Sequence, residues 1–145
     1  MLNAIFTFRG EYAFLSNFYA SPVKAGTIVF PTVEHAYQAC KTKVFAERVR
    51  ISQLPTPVEA KRQGRLVTIR PDWEEVKIKA MRYLLAQKFQ IPALRAKLLA
   101  TGNKTIYHEN YWGDVFWGIC KDKGENHLGI ILMEIREELR QEGGN

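Results

Sequence analysis

The sequence predicts an α+β protein: a compact, mainly helical single domain spanning residues 1–145 with a few short strands. Three observations predict this class. Several helix starts, each with a capping residue, precede apolar residues at helical spacing. Strand character is confined to short runs near residues 4–8 and 27–30. No repeat, low-complexity tract or linker divides the chain, and 46% hydrophobic with 25% charged residues suits one ordinary core.

Residues 4–8 alternate loosely as a first strand, and the N-terminus from Met1 to Arg9 lacks the basic start and long apolar stretch of a signal peptide. Thr27-Ile-Val-Phe30 reads as a second strand. Thr32 then caps a helix carrying Val33, Ala36, Tyr37, Cys40 and Val44 at helical spacing. Thr56-Pro-Val-Glu59 is a capping box with proline at the first helical position, and Gly64 closes that helix. Asp72-Trp-Glu-Glu75 opens a helix running through Val76, Ala80, Leu84 and Lys88. A shorter helix spans about Pro92 to Leu99 and stops near Gly102. The last helix places Leu128, Ile131, Leu132, Ile135 and Leu139 on one stripe, and Gln141-Glu-Gly-Gly-Asn145 reads as a frayed tail. The pattern amounts to about five helices and two to four strands.

His108 to Asn126 fits no periodic element. A loop of this length is functional or disordered, and Trp112 and Trp117 argue for order because each needs burial or a ligand to stack on. Cys40 and Cys120 form neither a disulfide framework nor a CxxC pair, which points to a reducing, cytoplasmic location. No apolar run reaches the about 18 residues a membrane span needs. A net charge of +6 favours anionic partners such as phosphates or nucleic acid, although many of the cations sit beside acids as on a solvated helix face. His35, His108 and His127 lack zinc-ligand spacing, so no metal is expected, and no other cofactor. Gly124-Glu-Asn-His-Leu-Gly129 does not follow a strand as a dinucleotide loop must, and no GxSxG elbow is present.

Glu34 falls at the second helical position, where the helix dipole favours its ionised form. Such a carboxylate completes a helix start; it also suits a base that orients water, or an anion facing a developing positive charge. Lys41 follows by about two turns, with Gln38 between them on the same face. The stripe reads either as a solvated face or as an amine placed near a carboxylate, able to bind phosphate or form a Schiff base. Arg9 and the segment Leu15-Ser-Asn-Phe-Tyr19 offer groups that hold a base or sugar, or simply a turn.

Four segments in order, Phe14-Leu-Ser-Asn-Phe-Tyr19, Phe30-Pro-Thr-Val-Glu-His-Ala-Tyr-Gln-Ala-Cys-Lys41, Trp112-Gly-Asp-Val-Phe-Trp-Gly118 and Gly124-Glu-Asn-His-Leu-Gly-Ile-Ile-Leu-Met133, resemble the NADAR, or YbiA-like, family over nearly the whole chain. The resemblance implies a compact, mainly helical fold and hydrolysis of N-glycosides on ribosylated compounds. It implies catalysis by Glu34 and Lys41, and a substrate site drawing on Trp112, Gly113, Asp114, Trp117 and Trp73, to which Arg9, Ser16, Asn17 and Phe18 are added. Ile119-Cys120 departs from the more glycine-rich turn of many relatives, which bears on the path of the loop and the role of Asp114.

Two substrates follow from the resemblance. One is ADP-ribose on guanine in DNA, whose removal opposes a DarT-type toxin as an antitoxin would; the net charge favours it. The other is a ribosylamine-phosphate intermediate of riboflavin synthesis. The expected partners are accordingly an ADP-ribose or ribose-phosphate ligand and DNA carrying ADP-ribosyl-guanine, with no membrane. A module that binds ADP-ribose or NAD without turnover, and a structural role for the tryptophan loop, are the readings from other classes.

Overall fold

The computed structural model describes residues 3–143. In chain order the elements are β1 (Ala4–Ile5), a 3-10 helix (Gly10–Leu15), β2 (Val23–Ala25), β3 (Ile28–Phe30), α1 (Val33–Cys40), α2 (Phe45–Ser52), α3 (Pro57–Gln63), α4 (Trp73–Lys88), α5 (Pro92–Ala100), β4 (Thr105–Ile106) and α6 (His127–Gly143). They form two compact units: the continuous segment Asn17–Lys88, and a second unit joining the segment that ends at Ser16 to everything from Phe89 onward.

In the continuous unit, β2 and β3 form an antiparallel hairpin, Val23 opposite Phe30, that turns through Gly26 at φ 61°. The chain then enters α1 as the sequence predicts: the Thr32 hydroxyl accepts the His35 backbone N–H at 3.1 Å. Every residue from Val33 to Ala39 is buried, and α2, α3 and α4 all pack on this one helix. Most of the unit's apolar core lies along α1 and α4, with Phe30, Ile51 and Ala60 filling in from the other elements. Thr56 caps α3 through the Glu59 N–H at 3.2 Å, with Pro57 in the first turn.

Three local expectations change here. α1 stops at Cys40 instead of running through Val44, and Val44 becomes the N-cap of α2, a helix whose start carries no side-chain cap for the sequence to display. Arg48 in α2 donates from Nε to the Thr42 carbonyl at 2.6 Å, holding the break between the two helices. Gly64 does end α3, but in right-handed geometry (φ −59°), so freedom of φ is not why glycine stands there.

The second unit is built on β1 and β4, which pair in parallel with Ile5 beside Ile106. The first strand therefore covers two residues, not five. α6 packs on β4 and α5 with the expected stripe of Leu128, Ile131, Leu132, Ile135 and Leu139 buried. Arg136 is buried with them, and its Nη1 donates to the Thr101 hydroxyl at 2.9 Å and the Lys104 carbonyl at 2.8 Å, which satisfies polar groups where α5 ends. α6 is still helical through Gln141, Glu142 and Gly143, so the expected fraying does not begin at 141; residues 144 and 145 lie outside the described ones. Among the described residues no helix is long and apolar enough to cross a membrane.

Candidate active site

Glu34 lies in the first turn of α1 and Lys41 just past its last residue, on a helix buried from Val33 to Ala39. Glu34 is only 9% exposed and Gln38 only 4%, so their stripe is not a solvated face. Gln38 donates from Nε2 to Glu34 Oε2 at 2.9 Å, and the Glu34 backbone N–H donates to the Asn17 carbonyl at 3.0 Å. That second bond ties the Ser-Asn-Phe turn to the start of α1. Asn17 also donates from Nδ2 to the Met81 sulfur at 3.5 Å, while its buried Oδ1 has no partner among the described residues. Phe18, next in the turn, is partly exposed.

Lys41 is the C-cap residue of α1 and reaches over the Tyr37 ring, with Nζ 5.9 Å from its centroid. Burial pushes its ammonium pKa down; Glu34 opposes that, and Arg65, Lys61 and Lys77 add to it. An amine so placed is more readily neutral, hence nucleophilic, than a lysine in water. Tyr37 also meets Trp73, which is buried, its ring tilted and 5.2 Å from that of Tyr37. Structure thus brings Glu34, Lys41, Asn17 and Trp73 into one unit around one helix.

His35, beside Glu34 in sequence, is occupied elsewhere. Its Nε2 donates to the Leu54 carbonyl at 2.9 Å and its Nδ1 accepts from the Thr32 hydroxyl at 2.7 Å, and burial lowers its pKa, so the neutral ring is the one that fits. No group of three or more His, Cys, Asp or Glu among the described residues is arranged to hold a metal ion.

Arg9, Ser16 and Trp112 belong to the second unit, where they line a cleft of about 330 Å³ together with Phe8, His108 and Asn110. The His108 ring stacks on Phe8 at 5.2 Å and meets Trp112 edge-on at 5.8 Å. Trp112 remains 52% exposed, and Tyr111 beside it more so. Flat aromatic walls with a guanidinium alongside suit a base or sugar that carries phosphate.

The loop carrying these aromatics is ordered by side chains the sequence reading did not single out. Asn110 is buried; its Oδ1 accepts the Asp114 N–H at 2.9 Å, and its Nδ2 donates to the carbonyls of Asp114 at 2.8 Å and Ile119 at 3.1 Å. Asn126 accepts the His108 N–H at 3.0 Å and donates to the Ile106 carbonyl at 3.0 Å. Asp114 Oδ1 accepts the N–H groups of Phe116 and Trp117 at 3.2 and 2.9 Å, so that oxygen shapes the turn. Gly113 sits at φ 88°, a conformation a side chain disfavours. Trp117 packs edge-on against Phe116 at 4.9 Å and meets His127 edge-on at 6.4 Å. The chain passes Ile119-Cys120 without a glycine by pairing Cys120 with Lys123 and placing Lys121 and Asp122 at positive φ. The only hint of this in sequence was the richness of the loop in amides.

The model of the NADAR domain family matches residues 6–140. The chain is 43% identical over 136 residues to N-glycosidase YbiA of Escherichia coli, a match covering 89% of this chain and 82% of that protein. It is 35% identical over 135 residues to a riboflavin biosynthesis protein of Vibrio vulnificus, covering 90% of this chain but 36% of that longer protein. The NMR structure of the E. coli protein YbiA aligns over 99% of this chain and 89% of that one, with a TM-score of 0.84 at 38% identity. The mainly helical, short-stranded architecture is common to both.

Proposed function

The chain belongs to the NADAR family and is an N-glycosidase, a hydrolase; on that premise we propose that it cleaves a ribose C1′–N bond through a Schiff base on Lys41, with Glu34 moving the protons. The observation that carries this reading is the stripe of buried Glu34 and Gln38 leading to half-buried Lys41, whose pKa burial lowers. The lone pair of the glycosidic nitrogen breaks the C1′–O4′ bond, O4′ taking up a proton by way of Glu34, and the sugar ring opens to an iminium at C1′. Neutral Lys41 Nζ adds to C1′; a proton passes by way of Glu34 from Nζ to the departing nitrogen, and that nitrogen leaves. Water then adds to the C1′–Nζ Schiff base and releases the sugar and the free amine.

Borohydride during turnover tests the route: it should trap a sugar adduct on Lys41, and full activity in Lys41→Ala would exclude it. Direct departure of the nitrogen to an oxocarbenium ion faced by Glu34 is the competing path, and it needs no lysine.

The substrate we propose is ADP-ribose on guanine in DNA, making the chain an antitoxin to a DarT-type transferase. The net charge of +6 supports it. The Vibrio vulnificus relative favours the second reading, a ribosylamine-phosphate intermediate of riboflavin biosynthesis. In either case the cleft with Arg9, Ser16 and Trp112 would bind substrate, each base stacked on an aromatic ring contributing about 1–3 kcal/mol. Mass spectrometry of products from both substrates decides between them, and only DNA cleavage should weaken steeply with added salt. Were the chain a binder without turnover, Glu34→Gln would leave its cellular effect intact.

A further inference from the structure

Glycine at position 64 calls for a reason. Its backbone is right-handed helical, a conformation alanine adopts at lower cost by about 0.5–1 kcal/mol. The reason lies in what occupies the space of the missing side chain. A Cβ on Gly64 would overlap Gln38 Oε1 and lie 2.6 Å from Gln38 Cδ. The Gln38 amide is thus seated against bare backbone. Its Oε1 is buried with no hydrogen-bond partner among the described residues, and its Nε2 is turned to Glu34 Oε2.

We infer that Gly64 and Gln38 form a positioning device for Glu34: the gap at Gly64 admits the Gln38 amide, and the amide fixes the carboxylate. The inference rests on the catalytic reading of Glu34. The amide has one productive orientation. Turned over, it would set its oxygen against a carboxylate oxygen, losing a charge-assisted hydrogen bond for a repulsive contact. Since Gln38 follows Glu34 by one helical turn, the bond also holds the Glu34 side chain along the helix axis, toward Lys41 on the same face. Neither Gly64 nor Gln38 needs to touch substrate. Both act through Glu34, and an orphaned buried acceptor is the cost of the arrangement.

The test measures kcat and KM on ADP-ribosylated DNA and on the ribosylamine phosphate, using variants shown by circular dichroism to be folded. Gln38→Met removes the donor while keeping the chain length. It should lower kcat by about 10- to 100-fold, as expected for a hydrogen bond to a charged group, with KM within about twofold. Gly64→Ala should reproduce that split from outside the site, because its methyl displaces the amide. The double variant should be no slower than either single one. Wild-type kcat in Gly64→Ala, or losses that multiply in the double variant, would overturn the inference. If Gly64→Ala does not fold, restoration of folding in Gly64→Ala/Gln38→Ala supports the seating of the amide, and continued failure overturns it. Glu34→Gln separates the two levels. An inactive Glu34→Gln beside an unaffected Gly64→Ala refutes the positioning device alone, whereas an active Glu34→Gln removes the catalytic reading and this inference with it.

Discussion

Truncating Asn110 to alanine should unfasten the aromatic loop. In the native structure its amide makes three short hydrogen bonds, all to backbone groups of the loop it organises: one from the Asp114 N–H, and two to the carbonyls of Asp114 and Ile119. At about 1 kcal/mol net for each, Asn110→Ala loses about 3 kcal/mol. For a chain of this size that lowers Tm by about 6–12 °C. Asn110→Asp is the sharper perturbation. It keeps the acceptor for Asp114 but replaces the donor with a carboxylate oxygen facing two carbonyls, so it should cost more than alanine despite being nearly isosteric. Calorimetry gives the stability, and tryptophan emission, dominated in this loop by Trp112 and Trp117, reports the local change. A loss below about 1 kcal/mol in Asn110→Ala, or a milder effect in Asn110→Asp, would refute the assignment of loop order to this amide.

Three further outcomes follow from the same physics. Gly129→Ala, normally favourable in a helix, should here destabilise by about 1–3 kcal/mol in urea unfolding, because its methyl would overlap the Ile106 carbonyl and crowd the Asn126 amide. His35 has a lowered folded pKa, so its contribution to stability is fully present above the ordinary histidine value of about 6.5 and is lost as pH falls through the lower folded value; His35→Gln should flatten that acid-side decline in thermal melts. If neutral Lys41 is the nucleophile, kcat/KM rises with pH along a limb set by its lowered pKa, and Arg65→Gln, which removes a neighbouring cation, should move that limb to higher pH; an unmoved limb would show that another group sets it.

How much of this was legible in the sequence depended on the range over which each signal acts. Thr32 and Thr56 announce α1 and α3 because a cap is a local hydrogen bond spanning three residues. The stripe of α6 is legible because one face meets the core. α2 was missed because Val44, its N-cap, makes no side-chain cap, and because apolar spacing carried α1 across a break made by Arg48 and Thr42. The two-residue strands β1 and β4 pair partners about a hundred positions apart, and no local pattern marks them. At the site, Glu34 and Lys41 were visible as a pair on one face. That Glu34 and Gln38 on that face are buried was not, since the three helices that pack on α1 are distant in the chain or unmarked in it. Asn110, Asn126 and Gly64 escaped for a common reason: each is explained by what it meets in space, and an amide or glycine in a sequence does not say what that is.

The parallel pairing of β1 with β4 also sets an order of assembly. Asn17–Lys88 is a continuous stretch, so its contacts can form as soon as that stretch leaves the ribosome. The other unit is interrupted by it. Ile5 must wait, strandless, until Ile106 has been synthesised, and a short edge with unpaired backbone groups is exposed in the meantime. Closing an interval costs about (3/2)RT ln n, so each doubling of its length adds only about 0.6 kcal/mol and its exact length weighs little on native stability. The folding rate does depend on it, through contact order. A circular permutant opened between α4 and α5, with the segment before β1 linked to the one after α6, would turn the divided unit into a continuous one and relieve the wait without altering either packed core.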